Sequence, residues 1–184
     1  MALGDEIIAL SKGRRIGNKE LISLYDSIPP RHDGRPIIKQ IDYTPKPPPI
    51  SGKYYTFQFD RGWGQRTWCP ETQWSVRQLH GLYHHYKQQY NMVDIGHKKY
   101  NLTTTADIIM GSQGHVGICS GMGWFSVACG KKPYIYYATN SNYGYLTNWK
   151  RWWEVNGIKI RYFDEEFKCV PCKIAVDGKK YKKI

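Results

Sequence analysis

The segment running from Val116 to Pro133 holds the residues best suited to chemistry in this chain. Its apolar start ends in Ser120-Gly121-Met122-Gly123, and a helix-like stretch follows. A strand that stops at Ser-Gly-x-Gly and turns into a helix presents unpaired backbone N–H groups at the positive end of the helix dipole. Such a place attracts anions, phosphate above all, and glycine lets a ligand come close to the backbone. The alternative is a tight strand-to-helix turn with no ligand. Arg66, in the polar loop after an earlier strand-like run, would face the same turn and could grip a phosphate with both guanidinium nitrogens; a solvated loop arginine is the competing reading. Ile95-Gly96-His97 ends another short apolar run, where a ribose or base would lie against the backbone. Asp5 reads on its own as an acid that favours the start of a helix.

Metal and redox chemistry are poorly served. His80, His84 and His85 lie in a helical pattern without the spacing or the extra acid of a zinc helix. Cys169 and Cys172 form a single CxxC, and a structural zinc site needs a second ligand pair. No metal ligand is assigned. The five cysteines are odd in number and widely spaced, which argues for reduced thiols in a cytoplasmic protein.

The elements that must position these residues follow from periodicity. Asn18 caps a short helix through Ile28, closed by Pro29-Pro30. Pro45 to Pro49 reads as a stiff extended connector, so residues 1–50 form one segment and residues 51–184 the main domain with a basic tail. Strand-like runs cover 54–59, 91–95, 116–119 and 133–137. Helical patterns cover 71–89, a stretch from 104 to 109 with Thr104 or Thr105 as its cap, and 124–129. Strands alternating with helices predict an α/β fold: a Rossmann-like parallel sheet with flanking helices and ligands at the carboxyl ends of the strands.

Composition bounds the function classes. The chain has 184 residues, 27 Lys and Arg against 15 Asp and Glu, and a formal charge of +12. Aromatic residues make up 15%, too many for a disordered basic tail, and no apolar run is long enough to span a bilayer. The charge favours a phosphate-rich partner, although a basic surface also serves solubility alone.

Residues 53–137 resemble the nucleotide-sugar-binding half of a GT-B glycosyltransferase of the heptosyltransferase type. The match runs through Tyr54–Phe59, Arg66-Thr-Trp68-Cys-Pro70, Val93-Asp-Ile-Gly96, Cys119-Ser-Gly-Met-Gly-Trp-Phe-Ser-Val-Ala128 and Gly130-Lys-Lys-Pro133. The resemblance implies that Arg66 and the backbone of Ser120, Gly121, Met122 and Gly123 hold a donor diphosphate, with Gly96 and His97 near the ribose. Two positions depart from the family: its acid before Ser-Gly is Cys119 here, and its histidine is Trp124. Leu3-Gly-Asp-Glu-Ile-Ile8 is similar to the family's opening motif and implies that Asp5 is the catalytic base.

The resemblance implies a nucleotide-sugar co-substrate, a UDP-sugar favoured, with no metal or other cofactor. A reduced acceptor segment and high positive charge suit a large acceptor approached on an open face. Double-stranded DNA carrying hydroxymethylated pyrimidines is the first expectation, as for viral enzymes that glycosylate such bases, which would place the protein in the host cytoplasm. Arg61 and Trp63 are the acceptor-side candidates. Trp149, Trp152 and Trp153 read either as exposed contacts or as the packed face of an amphipathic helix. A glycan or lipid-linked acceptor, or a non-catalytic nucleotide- or nucleic-acid-binding protein, are the alternatives.

Overall fold

The computed structural model describes residues 3–25, 37–59, 76–96, 99–137 and 144–166. Its centre is a five-stranded, wholly parallel sheet in the order β2-β1-β3-β4-β5. The strands are β1 (Tyr54–Gln58), β2 (Asn91–Asp94), β3 (Gly114–Ile118), β4 (Tyr134–Tyr137) and β5 (Ile160–Tyr162). The helices are α1 (Leu3–Ser11), α2 (Lys19–Ile22), α3 (Val76–Lys87), α4 (Leu102–Gly111), α5 (Gly121–Ala128), α6 (Gly144–Val155) and α7 (Phe163–Glu166). The expected Rossmann-like α/β arrangement is therefore present.

Parallel strands buried on both faces need apolar side chains on alternate residues of both parities. On one face, Val116, Ile118 and Tyr136 pack with Leu82 and Tyr86 of α3. On the other, Tyr54, Ile135, Tyr137 and Ile160 join a larger core with Ile7 and Leu10 of α1, Ile108 and Ile109 of α4, Phe125 of α5 and Trp153 of α6. Residues from before and after the proline-rich stretch thus share one core. The chain moves from β1 to β2 in one direction and from β3 to β5 in the other. Right-handed crossovers then put α3 on one face and α4, α5 and α6 on the opposite one, while Phe163 of α7 returns to the α3 face.

The stretch from 37 to 50 is a strap laid over the ends of these helices. Ile38 N donates to Asn156 Oδ1 at 2.7 Å, and Ile41 N donates to the Ala128 carbonyl at 2.8 Å. Further on, Lys46 N and the Tyr43 hydroxyl both donate to Asp107 Oδ1, at 2.7 and 2.9 Å. Each bond satisfies a strap group that would otherwise be left without a partner. Pro48 then seats over Gly111: a Cβ there would lie 2.7 Å from Pro48 Cγ and 2.9 Å from the Tyr54 hydroxyl oxygen.

Local differences from the sequence-based expectations have plain causes. Asn18 caps α2 as expected, its Oδ1 accepting from Leu21 N at 3.0 Å, but the helix closes after Ile22. The cap of α4 is Asn101 rather than Thr104 or Thr105; Asn101 Oδ1 accepts from Thr104 N at 2.8 Å. Glu20, distant in sequence, accepts from Leu102 N at 2.6 Å and completes that end. Helix α5 begins at Gly121, three residues before the expected start at Trp124, because Ser120 supplies the cap. It ends on Gly130 at φ 77°, the left-handed conformation that glycine adopts without strain. Strand β5 is too short to register as a pattern.

Gly111→Ala gains about 1 kcal/mol of helix preference but forces a methyl into the rigid Pro48 ring, an overpacking cost of about 1–3 kcal/mol. The expected outcome is a lower urea midpoint, with the Pro48→Ala, Gly111→Ala double variant recovering most of the loss.

Candidate anion-binding site at the sheet switch point

In a doubly wound sheet the crevice that takes ligands opens where the strand order reverses, beyond the carboxyl ends of the two strands concerned. Here those strands are β1 and β3, paired in register Gln58↔Gly117. Strand β1 ends in Gln58, and β3 runs through Cys119 into Ser120. The Ser120 hydroxyl donates to Gln58 Oε1 at 2.5 Å and accepts from Gly123 N at 3.5 Å. One side chain therefore ties the start of α5 to the end of β1 and caps the helix. Gly121 and Met122 hold the first N–H groups of α5, which have no acceptor within the helix.

A second helix start meets this one. A Cβ at Gly121 would lie 3.0 Å from Gly4 N and 3.1 Å from Leu3 Cβ, and a Cβ at Gly4 would lie 3.3 Å from Gly121 Cα. Two glycines thus bring the beginnings of α1 and α5 into backbone contact. Asp5, next to Gly4, is exposed in the first turn of α1. Among the described residues it makes no side-chain hydrogen bond or ion pair, whereas neighbouring Glu6 accepts from Asn18 Nδ2 at 3.1 Å.

The sequence-derived site residues fall into three groups. Ser120, Gly121 and Met122 lie together at the switch point, and Asp5 follows Gly4, whose backbone meets Gly121. Gly96 lies at the same edge of the sheet but on β2, beyond β1, and its N–H is committed to Asp94 Oδ1 at 2.8 Å. Gly123 serves packing: its N–H goes to Ser120, and a Cβ would meet Ile135 Cδ1 at 2.9 Å and Trp153 at 3.1 Å. Arg61, Trp63, Arg66 and His97 lie outside the described residues.

Both family departures have a structural setting. Trp124 is buried and stacks on Trp153 with ring centroids 3.4 Å apart, so this side chain fills the core instead of facing a ligand. Trp153 is fully buried, which excludes it as a surface contact and bears out its packed reading. Cys119 is half-buried beside the Tyr137 hydroxyl, whose pKa is raised well above the ordinary tyrosine value by burial and by that thiol.

Sequence reading missed Gln58 and Gly4. Gln58 carries a faint signal, a polar residue at an inward position of an otherwise apolar strand. It also missed the polar pair beneath the site. Thr56 and His115 are both wholly buried on the same sheet face as Gln58, with Thr56 Oγ1 3.1 Å from His115 Nδ1. The imidazole fills the space over Gly117, where a Cβ would lie 2.7 Å from Nε2. Among the described residues no group of His, Cys, Asp and Glu is arranged to hold a metal ion, and no helix is long and apolar enough to cross a membrane. No protein-family model matches the chain, and neither does any curated protein sequence or solved structure.

Burial pushes the His115 pKa down to about 3. An unfolded chain takes up that proton near pH 6.5, so the neutral imidazole's contribution is full above 6.5 and is lost as pH falls below it, levelling near 3. Urea midpoints measured from pH 7 to pH 4.5 are expected to fall with a slope of up to about one proton, or ~1.4 kcal/mol per pH unit. In His115→Asn that component of the slope should be gone.

Proposed function

We propose that this chain is a nucleotide-sugar-dependent glycosyltransferase that moves a sugar onto a hydroxyl acceptor, a hydroxymethylated pyrimidine of DNA being the acceptor. The observation that carries the reading is the backbone contact between the Ser120-capped start of α5, at the β1/β3 switch point, and the start of α1, where the exposed Asp5 follows Gly4. The donor diphosphate lies against the Gly121 and Met122 N–H groups, where the helix dipole favours negative charge. As the bond from the anomeric carbon to the phosphate oxygen breaks, that charge grows, and preorganised N–H donors stabilise it. Asp5 takes the proton from the acceptor hydroxyl as its oxygen bonds to the anomeric carbon. Arg66, which lies outside the described residues, is assigned to the same diphosphate by the sequence resemblance. A UDP-sugar is the favoured donor, and the mechanism asks for no metal.

The buried position of Trp124 favours a second reading, a nucleotide-binding protein without transfer, because the family's histidine is lost to the core there.

The decisive experiment incubates the protein with UDP-, GDP- and ADP-sugars and DNA containing hydroxymethylated pyrimidines, and reads nucleoside masses. Transfer of one sugar from one donor class is expected. Nucleotide binding with no transfer to any acceptor establishes the second reading instead. Asp5→Asn should lower transfer by about 10²–10⁴-fold with donor affinity unchanged. Ser120→Ala, which loses the cap and the tie to Gln58, should weaken donor binding by about five- to tenfold, a cost of ~1 kcal/mol.

A further inference from the structure

Among the described residues, most acidic side chains are engaged by other groups of the protein. Glu20 caps α4, Asp107 anchors the strap, Glu6 accepts from Asn18, and Asp94 binds Gly96 N and Lys99. Asp42 pairs with Lys39 at 3.5 Å, and Glu166 with Arg161 at 3.0 Å. Beyond the cations in these pairs, others among the described residues have no acidic partner. Lys12, Arg14 and Arg15 follow the end of α1, and Arg151 lies in the last turns of α6. Among the described residues none of these four has a carboxylate within 4.0 Å.

Tertiary packing brings these chain segments together. Lys12 Nζ sits 4.5 Å above the Trp152 ring, next to Arg151, and Lys39 N donates to Ser11 Oγ at 3.1 Å, beside Lys12. The indole holds the Lys12 ammonium in place without cancelling its charge. Because α1 rises about 1.5 Å per residue, this cluster lies roughly 10 Å along the helix from Asp5.

We propose that Lys12, Arg14, Arg15 and Arg151 form a phosphate-gripping face for duplex nucleic acid, which deepens the transfer reading by naming the surface that holds the acceptor. Duplex DNA carries about one charge per 1.7 Å of axis, so a compact cluster of guanidinium groups meets several phosphates at once and releases their counterions. The competing polyanion is an anionic bilayer. Ile37 and Val155, both partly exposed near the Ile38–Asn156 bond, are scattered apolar side chains of an ordinary surface and too few to anchor in lipid.

The test is fluorescence anisotropy of a labelled 20-base-pair duplex over a salt series, with the full chain and no donor present, so that its result is independent of transfer. Each phosphate contact contributes about 0.9 to the slope of log K against log salt. Arg14→Gln, Arg15→Gln together should lower that slope by about 2 and weaken binding at least tenfold at low salt, with an unchanged circular dichroism spectrum. Lys87→Gln, on α3 across the sheet, should leave the slope as it was. Absence of duplex binding by the unmodified chain overturns the proposal. So does an unchanged slope in the double variant, an equal loss in Lys87→Gln, or tighter binding to phosphatidylserine vesicles than to the duplex.

Discussion

Helix α5 is enclosed on every side, and most of the architecture exists to make that enclosure possible. From Gly123 to Ala128 each residue is buried: Phe125 lies in the main core, Trp124 is stacked on Trp153, and the Ala128 carbonyl is taken by the strap. A helix hydrophobic all round can sit only in the interior. That interior position demands glycine wherever a neighbour comes within backbone distance. Gly4 and Gly121 meet across the α1/α5 contact, and Gly123 leaves room for Ile135 and Trp153.

The same constraint makes the site. A buried helix cannot leave its first N–H groups unattended, since an unsatisfied polar group in the interior costs about 1–3 kcal/mol. Ser120 takes one of them and is itself held by Gln58, which fixes the turn against β1. The remaining N–H groups open at the sheet edge, beside the start of α1. The packing of α5 and the proposed anion site therefore share one arrangement, and Thr56 and His115 extend its polar ladder down into the sheet.

Much of this was legible in the chain. The alternation of short strands with helical periods fixes the fold class, because period and length alone separate the two element types. Ser120-Gly121 was recognisable as a strand-to-helix turn by residue chemistry. Asn101, Thr104 and Thr105 are each acceptable caps by residue type, and only packing selects Asn101 among them. Gln58, Gly4 and Glu20 act through partners 62, 117 and 82 residues away in the chain, a separation at which no local pattern carries a signal. The proline-rich stretch reads locally as a spacer, yet it belongs to a strap of residues 37–50 whose backbone donors reach Asp107 of α4, Ala128 at the end of α5 and Asn156 just after α6.

The sequence by itself determined the alternation of elements, the glycine-bearing turn that can bind an anion, and the excess of cations. These depend on residue type and near neighbours. The tertiary structure decided which glycines serve packing and which face the sheet edge, and that Trp124 and Trp153 belong to the core. Among the described residues it also decided which carboxylates are engaged, and left Asp5 exposed in the first turn of α1. The physical reason is burial: a side chain's role depends on what surrounds it, and only the folded chain assigns the surroundings.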